Sequence, residues 1–258
     1  MVKTKRTKNA DFVKNAKVIV DAANKIGVPI RILGAIATRL HCTKEFTKSI
    51  LIKREVSDID LISYSRFGKE INRLFLNLNH TPYERFNALY GDKRSIFYDE
   101  DKKVIDIFFN KLPMCHTIDF TGRLELDYPT ITLADLMLTK LQIIEFEEKD
   151  FRDVVCILKE HEVGTIEDES INANRIAEVL AIDWGFYYTA TSNLGKIKDA
   201  LNTSDMTRDD QEIVKDRIKN ILRHVEAAPK NIAWRLRAKI GTKKKWYTDI
   251  EYRKESYN

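Results

Sequence analysis

Two aspartates, Asp58 and Asp60, interrupt the otherwise apolar run "SDIDLISY". In an extended strand, residues i and i+2 face the same way, about 6.5–7 Å apart. Both carboxylates would then share one face, with Ile59 and Leu61 on the other. Two half-buried acids side by side repel, and unpaired they cost several kcal/mol or take up protons. A divalent cation turns that penalty into attraction, and Mg²⁺ (or Mn²⁺) prefers such hard oxygen ligands. A third acid, Asp106, has the same setting in "KVIDIFF". If the two strands are neighbours, three carboxylates converge and can hold two metals about 3.5–4 Å apart, the arrangement for in-line phosphoryl or nucleotidyl transfer. The competing reading is an exposed acidic sheet face, with Asp106 merely ending a hairpin strand.

About twenty residues upstream, "RILGAIATRLHC" reads as a strand, a Gly34-Ala35 turn and a helix start. A turn without bulky side chains and free N–H groups at a helix N-terminus make a phosphate cradle, or simply a strand-to-helix turn. Arg54 is placed to meet a triphosphate, since Arg grips phosphate with two parallel hydrogen bonds; otherwise it is a surface residue. Ser57 either turns the chain into the strand or orients Asp58 through its hydroxyl. "HC" at 41–42 and "CH" at 115–116 match no zinc spacing. Neither G-x-x-x-x-G-K-[ST] nor G-x-G-x-x-G occurs, so P-loop and dinucleotide-binding readings are unsupported.

The elements that must position these residues follow from periodicity. "FVKNAKVIVDAANKIG" has helical spacing and a C-cap glycine at Gly27. "VPIRIL" and "SDIDLISY" read as strands, and "RFGKEINRLFLNLN" as an amphipathic helix. "RSIFYDEDKKVIDIFFN" reads as a hairpin around an acidic turn, and "GRLELDYPTITL" as extended. From Thr132, "TLADLMLTKLQIIEF" and "EKDFRDVVCILKE" are helices, the first with Thr132 and Asp135 in capping-box positions. Helices follow at about 172–182, 186–201, 207–226 and 229–239. The expected class is α+β: a mixed sheet with flanking helices over residues 1–165, then an all-helical region over 166–258. The helices at 132–160 are expected on the sheet, and the C-terminal helices along one side of a cleft.

The 258 residues, 43% hydrophobic, can fill a substantial core. No apolar run spans a membrane and no signal-peptide core is present, so a cytosolic protein is expected. Three cysteines without a C-x-x-C fit a reduced compartment. The net charge of +5 is uneven: residues 1–9 carry four bases and no acid, and residues 227–258 nine bases against three acids. Basic ends on an acidic body suit a polyanion such as RNA, or are solvated tails. "DWGFYYT" and "WRLRAKIGTKKKWY" mix aromatics and bases, as in nucleic-acid stacking or in a helix core with a basic outer face.

Gly34-Ala35, Asp58-Ile59-Asp60 and Asp106, in that order, resemble the DNA polymerase β-type nucleotidyltransferase superfamily over about residues 28–110. "ITLADLMLTKLQIIEFEEKDFRDVVCIL" is similar to the helical motif of its AbiEii-like branch, which includes bacterial toxin nucleotidyltransferases. The whole chain, "DWGFYYT" included, resembles a prokaryotic family of nucleotidyltransferase-like proteins. The resemblance implies that Asp58, Asp60 and Asp106 are catalytic metal ligands. It also implies nucleotide contacts from Gly34, Ala35, Arg54, Ser57 and Lys140, with Lys149, Asp150, Arg152 and Asp153 completing the pocket. By sequence alone, Lys140 reads as solvent-facing. The implied partner is a nucleoside triphosphate, with a hydroxyl acceptor on RNA or protein. A toxin-like enzyme modifying tRNA, with an antitoxin partner, and a catalytically silent nucleotide-binding module stay open. One departure stands out: the superfamily turn reads Gly-Gly or Gly-Ser, and here Ala35 offers no hydroxyl.

Overall fold

The first helix, α1 (Val2–Lys25), buries Phe12, Ala16, Ile19, Val20 and Ala23, a stripe at helical spacing. It ends where Gly27 takes φ +72° and the Val28 N–H returns to the Ala23 carbonyl at 3.0 Å. These coordinates are a computed structural model that describes residues 2–51, 54–204 and 206–249, the side chains of residues 2–8, 46 and 49 apart. The bases before residue 9 and the tail from residue 250, both invoked for polyanion binding, therefore lie outside the described side chains.

After α1 come β1 (Arg31–Ile32), α2 (Gly34–His41), α3 (Glu45–Leu51) and β2 (Asp58–Ser63). Next are α4 (Gly68–Asn77), β3 (Thr81–Pro82), α5 (Glu84–Tyr90), β4 (Arg94–Tyr98) and β5 (Val104–Phe109). Five strands form one mixed sheet in the order β1-β2-β5-β4-β3, with β2 and β5 parallel and the other pairs antiparallel. The expected hairpin is β4–β5. Its turn is held by Asp99, whose carboxylate accepts from the Asp101 and Lys103 N–H groups at 3.0 and 2.8 Å. Alternation along β2 and β5 buries Ile59, Leu61, Ile105 and Ile107 on one face, and Phe97 of β4 joins them. The "GRLELDYPTITL" stretch is not a strand. It makes turns, and only Thr130 bridges, to Ile32.

A short ribbon, β6 (Lys111–Pro113) and β7 (Thr117–Asp119), precedes α6 (Leu133–Leu141) and α7 (Glu148–Glu160). Then come β8 (Val163–Gly164), β9 (Ile171–Asn172), α8 (Ala173–Ile182), α9 (Trp184–Leu201), α10 (Arg208–Ala227) and α11 (Ile232–Ile240). The C-terminal region is helical as expected, with one addition: β8 and β9 form a two-residue parallel pair. The fold is therefore α+β. Two compact units divide it, Met1–Leu112 with Asp119–Thr132, and Pro113–Ile118 with Leu133–Asn258. The main division thus falls after Thr132, whereas the sequence suggested about residue 165. The cause is that α6 and α7 pack with α8, α9 and α10 through buried residues such as Leu136, Leu138, Val154, Cys156 and Leu158, with Asp135 pairing with Arg175 of α8. No helix among the described residues is long and apolar enough to cross a membrane.

Candidate active site

Within the first unit, β2 and β5 pair so that Asp60 stands directly beside Asp106, and Asp58 beside Val104. Paired residues of parallel strands share a face, and alternation puts Asp58 on that face too. Asp58 and Asp60 are half-buried, and Asp106 is only 6% exposed. Ser57 donates its hydroxyl hydrogen bond to Asp58 Oδ1 at 3.1 Å, which orients that carboxylate.

Gly34 meets this acidic face from the side. The Leu33 N–H donates to the Asp60 carbonyl at 2.8 Å, so the turn into α2 is tied to β2. Gly34 takes φ +64°, and a Cβ built there would lie 2.6 Å from Asp60 Oδ2. Glycine is needed twice over, for the left-handed backbone and for the carboxylate packed on its α-carbon. The positive end of the α2 dipole favours an anion here, and the acid of the chain itself is the group nearest Gly34. Ala35 follows, half-buried, at the helix start.

The sequence reading missed Arg94. It lies on β4, diagonal to Asp106 across the hairpin, where Arg94 pairs with Phe108 and Ile96 with Asp106. Its Nε donates to Asp106 Oδ1 at 2.7 Å and its Nη2 to Oδ2, so both carboxylate oxygens are engaged. The guanidinium sits over the rings of Phe86 and Phe108, 5.5 and 5.1 Å from their centroids. The available signal was the hairpin itself: a five-residue turn after "RSIFY" sets Arg94 diagonal to the acid. Arg54, half-buried, donates to the Glu55 carbonyl at 2.5 Å.

In kind, these donors fit a hard divalent cation, since Asp58 and Asp60 offer carboxylate oxygens on an accessible face. In arrangement the fit is partial. Asp106 is committed to Arg94, and among the described residues no group of three or more His, Cys, Asp or Glu is set to hold a metal.

The remaining expected nucleotide contacts belong to the second unit and are engaged there. Lys140 is buried, contrary to its solvent-facing reading, and its Nζ lies 2.6 Å from Asp153 Oδ2. Asp150 Oδ2 accepts from the Glu147 N–H at 3.2 Å and so caps α7. Burial raises the Asp150 carboxyl above its usual range, with Lys140 the first influence opposing it. Arg152 pairs with Glu148 one turn away, and Lys149 with Glu147 at 2.5 Å. Asp135 pairs with Arg175 at 3.0 Å.

The aromatic "DWGFYYT" segment is largely architectural. Trp184 is buried and stacks on Tyr188, with the Arg237 guanidinium 4.6 Å from its ring. Gly185 leaves room for the backbone of Trp246, whose Nε1 donates to Thr189 Oγ1 at 3.1 Å. His116 stacks on Phe186, and its Nε2 lies 2.9 Å from the same hydroxyl. Burial would raise the Asp183 carboxyl, but His116 and the N–H groups of Phe186 and Gly185 hold it below its usual value. His41 Nε2 is 3.1 Å from the Ile131 carbonyl oxygen and 2.8 Å from Thr130 Oγ1. Arg235 and Lys239 of α11 face solvent, whereas Arg237 turns inward.

Among solved structures, the chain is similar to an antigenic nucleotidyltransferase-like protein from Paracoccidioides brasiliensis. The identity is 11% and the TM-score 0.40, over 88% of this chain and 97% of that one. No family model and no curated protein matches the chain.

Proposed function

We propose that the acidic face of the first unit is a nucleotidyl-transfer site, moving a nucleoside monophosphate from a triphosphate to a hydroxyl acceptor, with Mg²⁺ or Mn²⁺ as cofactor. The observation that carries the reading is the in-register pairing of Asp60 with Asp106, with Asp58 on the same face and Gly34 closed against the Asp60 carboxylate. Packing of like charges is costly unless counter-charges answer it, as Arg94 does for Asp106. The cation, held by Asp58 and Asp60, would neutralise phosphate charge.

The residues of this chain do the rest. Ser57 fixes the direction of Asp58. Gly34 and Ala35 admit phosphate close to the start of α2, and Arg54 adds charge. Asp106, once released by Arg94, accepts the proton of the attacking hydroxyl at a carboxylate oxygen. Lys140, Asp150 and Asp153 are absorbed in packing and capping, so the phosphate contacts rest on the first unit.

One observation favours a second reading, a nucleotide-binding module without catalysis: Arg94 holds both oxygens of Asp106. Incubation with each labelled triphosphate, Mg²⁺ and total RNA or protein separates the two. Label transfer that disappears in D58N/D60N supports the enzyme. Mg²⁺-dependent binding with no transfer and no pyrophosphate supports the silent module. The double variant should melt at or slightly above the parent without Mg²⁺, since like-charge repulsion is removed. It should lose the stabilisation that Mg²⁺ with triphosphate gives the parent. Retention of the full ligand-dependent shift would remove Asp58 and Asp60 as ligands.

A further inference from the structure

We propose that α11 docks the protein on an anionic lipid surface: the helix lies along the bilayer, its aliphatic stripe among the acyl chains and its bases at the headgroups.

The stripe is Ile232, Leu236 and Ile240, which recur every fourth residue and so stand on one face of the helix. They are 76%, 57% and 45% exposed. Single exposed aliphatic residues are common, but an aligned row of three marks an interaction surface. The opposite face does the packing. Trp234 Nε1 donates to the Leu180 carbonyl at 3.0 Å, its ring meets Tyr187 edge-on, and the Arg237 guanidinium lies 4.6 Å from the centre of the Trp184 ring. These contacts fix the stripe outward. Arg235 and Lys239 follow Ile232 and Leu236 by three residues, so they flank the stripe on the helix surface, and both are exposed.

Charge narrows the occupant. Residues 227–248 carry seven bases and no acid. The acids bordering the segment are engaged: Glu226 accepts from the Tyr187 hydroxyl at 2.7 Å, and Asp249 pairs with Lys245. A second copy of the helix would bring like charges together, and RNA offers nothing to an aliphatic stripe. A bilayer with anionic headgroups meets both the apolar and the basic part of this face, the pattern of helices that lie in the interface. At nine residues, α11 is too short to cross a membrane.

The test is co-sedimentation of the full chain with phosphatidylcholine vesicles containing phosphatidylserine, against vesicles of phosphatidylcholine alone. The parent should bind the anionic vesicles and not the neutral ones. Leu236→Gln changes no charge and should weaken binding about 10-fold, from leucine surface no longer withdrawn from water. Arg235→Gln with Lys239→Gln should weaken it about 30-fold, at about 5-fold for each base. Both variants should melt like the parent, because the side chains are exposed. Equal binding of parent and L236Q to anionic vesicles would overturn the proposal, leaving only a general attraction of basic residues. Absence of vesicle binding, or equal binding to both vesicles, would overturn it as well. Binding to total RNA that falls in R235Q/K239Q and not in L236Q, without vesicle binding, would make the face a nucleic-acid surface instead. Binding to an acidic amphipathic peptide that falls in L236Q, again without vesicle binding, would assign it to a protein partner.

Discussion

Two carboxylate–cation pairs, one in each unit, look alike on paper and differ in setting. Asp106 meets Arg94 beside two further acids, on a face where Asp58 and Asp60 keep partial access to solvent. Asp153 meets Lys140 where both side chains are almost wholly enclosed, at 0% and 7% exposure, among the apolar residues of α6 and α7. The first pair lies in register with a further acid, Asp60, on a face that solvent partly reaches. The second is enclosed, with buried Asp150 also under the influence of Lys140, and a buried carboxylate tolerates desolvation only when a counter-charge answers it. Enclosure, rather than the presence of an ion pair, therefore separates the partly exposed acidic face from the buried brace. The resemblance assigned nucleotide contacts to both units, and this criterion divides them.

The largest effect should come from the brace. Lys140→Met removes the counter-charge 2.6 Å from a buried carboxylate and should cost about 3–5 kcal/mol in urea unfolding. Replacing both partners by apolar residues, K140M/D153L, should recover most of that loss. The pH dependence has a definite sign. Lys140 is the main influence opposing the burial that raises Asp150, so its removal pushes the folded-state value higher still. The folded protein then holds a proton more tightly than the unfolded chain, and stability gained from it falls as pH rises. The K140M deficit should be greatest near neutral pH and shrink as pH falls toward the usual carboxylate range. A small stability cost combined with loss of triphosphate binding would break the comparison, because Lys140 would then serve a ligand.

A smaller effect is expected where the first unit closes on itself. Gly34→Ala forces a Cβ to within 2.6 Å of Asp60 Oδ2 at φ +64°. Backbone strain of this kind costs about 1–3 kcal/mol. A cycle with Asp60→Ala divides the cost: relief of the clash appears as a favourable coupling between the two changes, and the residual is left-handed strain. If G34A melts like the parent, the acid is not packed on the turn, and the account of why glycine stands there fails.

Much of this arrangement was legible in the sequence because strand alternation and helical periodicity are local signals. Asp58, Asp60 and Asp106 share a face as the i, i+2 pattern required, and α8, α9, α10 and α11 fall within a few residues of expectation. Gly27 closes α1 as expected. What escaped depends on chain returning from afar. The short α3 and α5 lack the length to show a period. Arg94 acquires its partner only through the hairpin register. Lys140 reads as exposed because a lysine amid leucines normally escapes to solvent, and its acid comes from the next helix. The reading of Ser57 as the residue that orients Asp58 is matched by their hydrogen bond.

The smallest expected effect tests whether the second unit contributes to ligand at all. Arg152 pairs with Glu148 one turn before it on α7, and the Glu148 side chain is 76% exposed. Glutamate preceding the base at i, i+4 is the favourable order, and exposed pairs of this kind contribute about 0.3–0.5 kcal/mol. Arg152→Ala should therefore lower stability by that amount at low salt. The cost should vanish near 1 M salt, where the Debye length falls to about 3 Å. A double-mutant cycle with Glu148→Ala isolates the pair from changes in helix propensity. The same variant, melted with Mg²⁺ and a triphosphate mixture, reads out function separately. If the second unit is structural only, R152A keeps the full ligand-dependent shift, because its charge is already answered within its own helix. If R152A is as stable as the parent yet loses part of that shift, Arg152 leaves Glu148 for a phosphate. The second unit would then share in binding, and the contrast between an open acidic face and a closed brace would have to be drawn residue by residue instead of unit by unit.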